Sequence, residues 1–301
     1  MILPELPLDA WRETLATLHR WSQMVGKIQL ALTPPTNHYW NVTFRPSARG
    51  LETPAMPYRG RELQMELDFV DHRLAIRTSD GGAATVAFEP KSVAAFYREL
   101  VERLAVLDVE VPIWDHPVEI AEEAIPFHED EVHRAYDAEY AARCWRILAW
   151  SAEVLEEFRA RYLGKSSPVH FFWGSFDLAV TRFSGRPAPL APDIDPITRE
   201  AYSHEVASVG WWPGDSRFPE PAYYAYAAPK PEGFEAAKVG PAGASWSDAL
   251  GEYLLPYEAV RTAPDPRSAL LDFAQSTYAA AADRGGWDRA ALERDPPAPA
   301  A

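Results

Sequence analysis

The chain has 301 residues, of which 47% are hydrophobic and 24% are charged, a composition typical of a folded globular protein. Its 29 basic and 44 acidic residues give a formal net charge of -15, which repels nucleic-acid phosphates and anionic lipid surfaces at long range. The sequence therefore argues against nucleic acid and membranes as partners, and it names no protein partner.

The N-terminal residues and the cysteine content indicate a cytoplasmic protein. Residues 1–11 lack the basic segment and the unbroken apolar run of a secretion signal. Cys144 is the single cysteine, so no disulfide can form within the chain, as expected in a reducing compartment.

The first half of the chain predicts a helix, about five strands and a second helix. The first helix begins after Asp9 and is expected to end at Gly26-Lys27, because apolar residues recur at helical spacing up to that point. Pro90 begins the second helix, whose apolar stripe runs from Val93 to Leu104. The strand candidates between them, rich in β-branched and aromatic residues and separated by turn residues, are 28–33, 39–45, 62–69, 73–78 and 84–88.

The second half predicts the same order of elements. Residues 108–135 are rich in proline and acidic residues and are expected to form a surface connector. A long helix ending at Gly164-Lys165 follows, then a hairpin turning at Gly174-Ser175, and later a helix from Pro266. In the hairpin's second strand, Leu178 should face the core and Asp177 the opposite side. The strand candidates are 169–173, 176–183, 205–211, 222–227 and 251–255.

The repeated order of elements indicates an internal duplication. One alignment of the halves places Arg45, Ser47 and Arg49 on Arg182, Ser184 and Arg186. We therefore predict an α+β fold of two similar units, each a helix, about five antiparallel strands and a helix. The halves should pack through their sheets as one pseudo-symmetric body with a cleft between them. The expected divisions are a first repeat in 1–107, the connector in 108–135, a second repeat in 136–294 and a disordered tail in 295–301.

Four motifs of the chain resemble an uncharacterised bacterial family, catalogued as a domain of unknown function. They are HFFWGSFDLAVTRFSGR from His170, AYSHEVASVGWWPG from Ala201, NHYWNVTF from Asn37 and LLPYEAVR from Leu254. The resemblance runs nearly the full length of the chain, and it implies no substrate, cofactor or catalytic residue.

The candidate catalytic residues are grouped on adjacent predicted strands of the second half. They are His170, Asp177, His204 and Glu205. Burial among aromatic residues raises the pKa of a carboxyl group towards neutrality, which would suit Asp177 for acid or base catalysis with a histidine. Two histidines and a carboxylate also suit zinc or non-haem iron, but their spacing matches no metal motif. We therefore predict no metal site, and the cofactor remains unknown.

Aromatic side chains near this group are the candidate ligand-binding residues. Tryptophan and tyrosine combine a large apolar area with a polar tip, so they suit a sugar, a flat ring or a cation. A role in the core of the sheet is the alternative. The candidates, including one arginine, are Trp173, Arg182, Trp211, Trp212, Tyr224 and Tyr226.

Two functional hypotheses follow from these groups. The first is the binding of a small neutral or cationic molecule, and the second is a hydrolase or isomerase that uses a carboxylate and histidine pair, with or without a metal. The sequence has no dinucleotide-binding glycine motif and no GxSxG motif. A buried Asp177 that opens into a cavity beside His204, with no cationic neighbour, would favour catalysis. Contacts from Arg182 or backbone amides would favour binding or a structural role.

Overall fold

A computed structural model describes residues 3–120, 124–189 and 193–294. Its α-helices are α1 (Leu8–Leu32), α2 (Val93–Val106), α3 (Ala138–Ala160), α4 (Pro196–Ala201), α5 (Tyr257–Arg261), α6 (Pro266–Arg284) and α7 (Arg289–Leu292), with short 3-10 helices at Asn37–Val42 and Phe234–Ala236. The strands of the first half are β1 (Thr43–Pro46), β2 (Gly50–Glu52), β3 (Met56–Tyr58), β4 (Arg61–Asp68), β5 (Arg73–Thr78) and β6 (Ala83–Ala87). Those of the second half are β7 (His170–Phe172), β8 (Asp177–Pro187), β9 (His204–Trp212), β10 (Ala222–Ala228), β11 (Ser245–Ser247) and β12 (Glu252–Pro256).

The strands of both halves form one antiparallel sheet. Within the described residues its order is β11-β12-β10-β9-β8-β7-β1-β2-β4-β5-β6, and β3 pairs with the outer part of β4. The two halves meet at the central pair, where Thr43 of β1 lies opposite Phe172 of β7. The mixed α+β class is thus confirmed, but the halves join edge to edge and do not stack sheet on sheet as expected.

The hairpin of the second half follows the predicted alternation. Leu178 lies opposite Trp211 of β9, which in turn lies opposite Tyr223 of β10. All three side chains are fully buried, on the face of the sheet against which α3 and α6 pack. The Tyr223 hydroxyl forms a hydrogen bond of 2.8 Å with Ser151 of α3. Asp177, one residue away along β8, consequently faces the other side of the sheet.

The predicted end of the first helix at Gly26-Lys27 is wrong. α1 continues to Leu32, and Gln29 in its last turns is buried and donates hydrogen bonds to the backbone oxygens of Asn41 and Thr43. Gly26 serves instead as a contact, because a Cβ there would overlap the indole of Trp173. The strand candidate 28–33 is therefore helix, and 39–45 is mostly the 3-10 helix Asn37–Val42.

Most other elements agree with their sequence signals. The strands predicted at 62–69, 73–78 and 84–88 are confirmed as β4, β5 and β6. Ser92, Asp137 and Asp265 cap α2, α3 and α6 by accepting hydrogen bonds from backbone amides in the first turn. α3 ends at Ala160, earlier than the predicted Gly164-Lys165.

The connector contains neither helix nor strand in its described part, residues 108–120 and 124–135. Phe127 and Asp130 within it are nonetheless fully buried. Gln23 of α1 holds it by donating to the backbone oxygen of Val118 and accepting from the Val118 amide, at 2.7 and 2.8 Å. The connector therefore packs into the protein, and it does not simply lie over the surface.

Two further expectations concern the C-terminal tail and membrane spans, and for both the extent of the described residues matters. The predicted disordered tail, 295–301, lies outside them. Among the helices that the structure describes, none combines the length and apolar character needed to cross a bilayer.

Candidate functional site

A cleft of about 780 Å³ lies between the N-terminal half of α1 and the face of the sheet that carries Asp177. Leu8, Arg12, Leu15 and His19 line it from α1, whereas β8, β10 and the beginning of β12 supply Asp177, Tyr224, Tyr226 and Glu252. Elements of both halves thus enclose one cleft.

Asp177 is the most buried acidic residue of the cleft, with 9% of its surface exposed. Its Oδ1 accepts a hydrogen bond of 2.5 Å from the hydroxyl of Ser175, and its Oδ2 accepts one from the hydroxyl of Tyr224. Each carboxylate oxygen therefore keeps one lone pair for a further donor.

Gly210 allows Tyr224 to reach Asp177 across a neighbouring strand. Tyr224 of β10 lies opposite Gly210 of β9, which lies opposite Ala179 of β8. A Cβ at position 210 would lie 2.5 Å from Cζ of Tyr224 and even closer to its hydroxyl and to the carbonyl oxygen of Leu178. The tyrosine ring consequently occupies the space that any other residue at 210 would fill.

Glu119 brings a second carboxylate to the cleft from the connector. It follows directly on Val118, the residue held by Gln23, and has a left-handed φ of 54°, which is uncommon for a residue other than glycine. A Cβ at Gly174 would lie 2.5 Å from Oε1 of Glu119. The glycine of the β7–β8 turn thus makes room for this carboxylate.

Glu252 brings a third carboxylate from the first residue of β12. Burial raises its pKa to about 7, the negative charge of Asp177 adds to the rise, and Arg217 opposes it. Burial also raises the pKa of Glu119, again with a contribution from Asp177 and a smaller opposing one from Ser175. The pKa of Asp177 itself is raised by burial, against the effect of its hydroxyl donors.

The arginines that line the cleft already have acidic partners, one of which, Asp215, lines the cleft as well. Arg12 pairs with Asp9 at 2.6 Å, Arg217 with Asp215 at 2.7 Å, and the buried Arg20 lies 3.4 Å from Asp130. No described residue forms an ion pair with Asp177, Glu119 or Glu252 within 4 Å. Among the described residues, Asp177, Glu119 and Glu252 therefore line the cleft with no basic side chain at ion-pair distance.

Tyrosine and tryptophan rings form one wall beside these carboxyl groups. The rings of Tyr224 and Tyr226 are nearly parallel, with centroids 6.2 Å apart, and the Tyr226 hydroxyl lies 3.1 Å from that of Tyr202. Trp212 also lines the cleft and packs against Phe218, with ring centroids 5.9 Å apart.

The raised pKa of Glu252 predicts a pH-dependent cost to stability. Below its ordinary value of 4.5, both the folded and the unfolded state carry the proton. As the pH rises towards 7, the unfolded state releases the proton first, so the free energy of unfolding falls. Glu252→Gln removes this cost, and its melting temperature relative to wild type should therefore increase between about pH 5 and pH 8.

Thermal unfolding of both proteins across this pH range is the measurement. Glu102→Gln, at an exposed position of α2, is the matched control and should follow wild type at every pH. A constant difference between Glu252→Gln and wild type would show that Glu252 has an ordinary pKa.

The structure does not bring the four candidate catalytic residues together. Asp177 lines the cleft, but His170, His204 and Glu205 are not among its lining residues. His170 is buried against Phe172, with ring centroids 4.8 Å apart, and burial lowers its pKa to about 3. The ring of His204 packs edge-on against His38 at 5.6 Å, and Glu205 pairs with Arg186 at 2.6 Å.

The candidate ligand-binding residues divide between the cleft and the core. Trp212, Tyr224 and Tyr226 line the cleft. Trp211 is buried on the opposite face of the sheet, and Trp173 packs against Gly26.

Arg182 is also buried, and it does not form an ion pair or a hydrogen bond with Asp177. Its guanidinium carbon lies 3.5 Å from the ring centroid of Phe158 and 4.3 Å from that of Tyr278, and it donates to the Phe158 carbonyl oxygen. Burial lowers its pKa to about 10, so it remains cationic at neutral pH. These contacts place Arg182 in the core beneath α3 and α6.

Sequence reasoning missed Glu119, Glu252, Ser175 and Tyr202. Glu252 carried a weak signal, since it is the one acidic residue in the strand candidate 251–255. Glu119 carried none, because it belongs to an acidic connector in which no residue stands out.

The remaining described residues offer weaker candidates for a site. No group of three or more histidine, cysteine, aspartate or glutamate side chains there is arranged to hold a metal ion. A cleft of about 1070 Å³ at the end of α3 contains charged residues of both signs. Two of its arginines already pair with glutamates of α3, Arg159 with Glu156 at 3.2 Å and Arg161 with Glu157 at 2.5 Å.

Comparison with known proteins places the chain in a family. It belongs to a family of unknown function, DUF5996, whose model matches residues 3–294. Neither the curated proteins nor the solved structures gave a match.

Proposed function

We propose that this protein binds a small organic cation in the cleft between α1 and the second half of the sheet. The observation that carries the proposal is the presence of Asp177, Glu119 and Glu252 in one cleft without an ion pair to a described residue. A buried carboxylate without a cationic partner is unfavourable, and its pKa rises accordingly. An ammonium ligand would supply the missing charge.

The aromatic wall supports the same ligand class. A cation over the face of a tyrosine or tryptophan is attracted by the ring quadrupole, and the attraction grows when water is excluded. Tyr226 and Trp212 offer such rings beside the carboxyl groups. A volume of about 780 Å³ lies within the range of small-molecule sites.

A thermal-shift comparison of three ligands with the same ring and different charges tests this proposal. Benzylammonium, benzyl alcohol and benzoate are each added to the wild-type protein at about pH 8, which is above the pKa of about 7 to which burial raises Glu252. Only benzylammonium should raise the melting temperature, because a ligand that binds the native state stabilises it by mass action. An equal rise with benzoate, or no rise with any of the three, would contradict the proposal.

Acid–base catalysis is a second candidate, favoured by the two different environments of Asp177 and Glu252. A glutamate with a pKa of about 7 can donate or accept a proton at neutral pH. Asp177, held by the hydroxyls of Ser175 and Tyr224, would act as its charged partner. His170 and His204 have no part in this version, because both lie outside the cleft.

The pH dependence of turnover tests this second candidate. Nitrophenyl esters and glycosides are assayed with wild type and with Glu252→Gln. Catalysis predicts a bell-shaped profile whose limb near pH 7 disappears in the variant. Turnover that is unchanged in Glu252→Gln would exclude Glu252 as the acid or base.

We also propose that the two halves, 1–107 and 136–294, descend from one duplicated unit. The strands of both halves follow one another in the sheet mostly in chain order, outward from the β1–β7 pair, which supports this. So does a shared ion pair: Arg49 binds Asp68 and Arg186 binds Glu205, both at 2.9 Å and both across 19 residues. Related sequences that vary independently at the two pairs would argue against a common origin.

A further inference from the structure

The three carboxyl groups of the cleft differ in the elements that hold them, and this difference bears on the charge of the ligand. Asp177 is fixed on β8 by two hydroxyl donors. Glu119 lies on the connector beside Gly174, and Glu252 begins β12, on the far side of β10 from β8. Asp177 therefore lies between the other two in the order of the elements.

One cationic group cannot balance this arrangement. An ammonium bound to Asp177 neutralises the central charge, but the partly buried Glu252 remains on one side and the exposed Glu119 on the other. Each remaining group must then either stay charged without a partner or keep a proton. A second cationic group on the same ligand would offset one of them.

The wall between these groups suits the linker of such a ligand. Tyr224 and Tyr226 lie on β10, between β9 and β12 in the sheet, and present stacked rings 6.2 Å apart. Aromatic faces bind methylene groups through apolar contact and attract cations through the ring quadrupole.

From this arrangement we infer that the ligand is an organic dication, with one cationic group at Asp177 and the second at Glu252 or Glu119. The inference rests on the proposed cation-binding function and narrows its ligand class. It assigns Glu119 and Glu252 as residues that determine specificity for a second positive charge.

Titration calorimetry with ligands matched in length tests the inference. Linear diamines from diaminopropane to diaminohexane are each compared with the amino alcohol of the same chain length, at about pH 8. The best diamine should bind wild type at least about tenfold more tightly than its amino alcohol. Glu252→Gln or Glu119→Gln should reduce this ratio several-fold, whereas Glu102→Gln should leave it unchanged.

The possible results separate this inference from the proposed function. If diamines and amino alcohols bind equally well, the dication inference fails and the cation site stands. If neither class binds, both fail.

A third result concerns the overall charge of the chain. If the preference for diamines survives in both glutamate variants and disappears at high salt, it arises from the net charge of -15 through long-range attraction. That result would also overturn the inference.

Discussion

Gly210→Ala should lower the free energy of unfolding by about 3 kcal/mol, at the upper end of the usual cost of overpacking. The added methyl group would overlap the carbonyl oxygen of Leu178 and the ring of Tyr224. Because the first of these is backbone, the strands must shift, and a side-chain rotation alone cannot relieve the overlap. Urea unfolding, with the midpoint falling at an unchanged m-value, is the measurement.

A double-mutant cycle with Tyr224→Ala separates the two overlaps. Removing the ring should relieve its share of the strain, so the combined variant should be more stable than the sum of the two single changes predicts. The coupling should exceed about 0.5 kcal/mol, since the two residues are in contact. Strict additivity would show that the ring of Tyr224 does not lie over Gly210. It would then also contradict the hydrogen bond from the Tyr224 hydroxyl to Asp177.

Local sequence signals predicted most elements because they depend on neighbours along the chain. Pro266 marks the beginning of α6, and the Gly174-Ser175 turn marks the hairpin. Gly26 shows the limit of such reasoning. A glycine after an apolar stripe favours a helix end, but here it accommodates Trp173 of the distant β7–β8 turn, a contact that no local pattern contains.

The same limit applies to the site. Asp177 could be predicted, because a carboxylate among aromatic strand residues is unusual in any fold. Its partners could not, because Glu119 and Glu252 meet it through a connector and a later strand. Adjacent predicted strands are the sequence's only reason for grouping the histidines with Asp177. His170 and His204 lie elsewhere along those strands, packed against Phe172 and His38.

Asp177→Asn should weaken the binding of benzylammonium by about a hundredfold, because it removes the charge that faces the ligand from the centre of the cleft. Asparagine has nearly the same shape, and its side-chain carbonyl oxygen can still accept a hydrogen bond from Ser175 or Tyr224. The substitution also removes a buried carboxylate without a cationic partner. The variant should therefore be at least as stable as wild type at about pH 8.

Titration calorimetry of benzylammonium into wild type, Asp177→Asn and Glu102→Gln at about pH 8 is the most direct test of the cation site. Glu102→Gln, which removes one negative charge at an exposed position of α2, controls for the change in net charge. The account predicts binding by wild type and by Glu102→Gln with equal affinity, and a loss of about a hundredfold in Asp177→Asn. Equal affinity in all three proteins, with Asp177→Asn folded as shown by its urea transition, would contradict the claim that this cleft binds a cation.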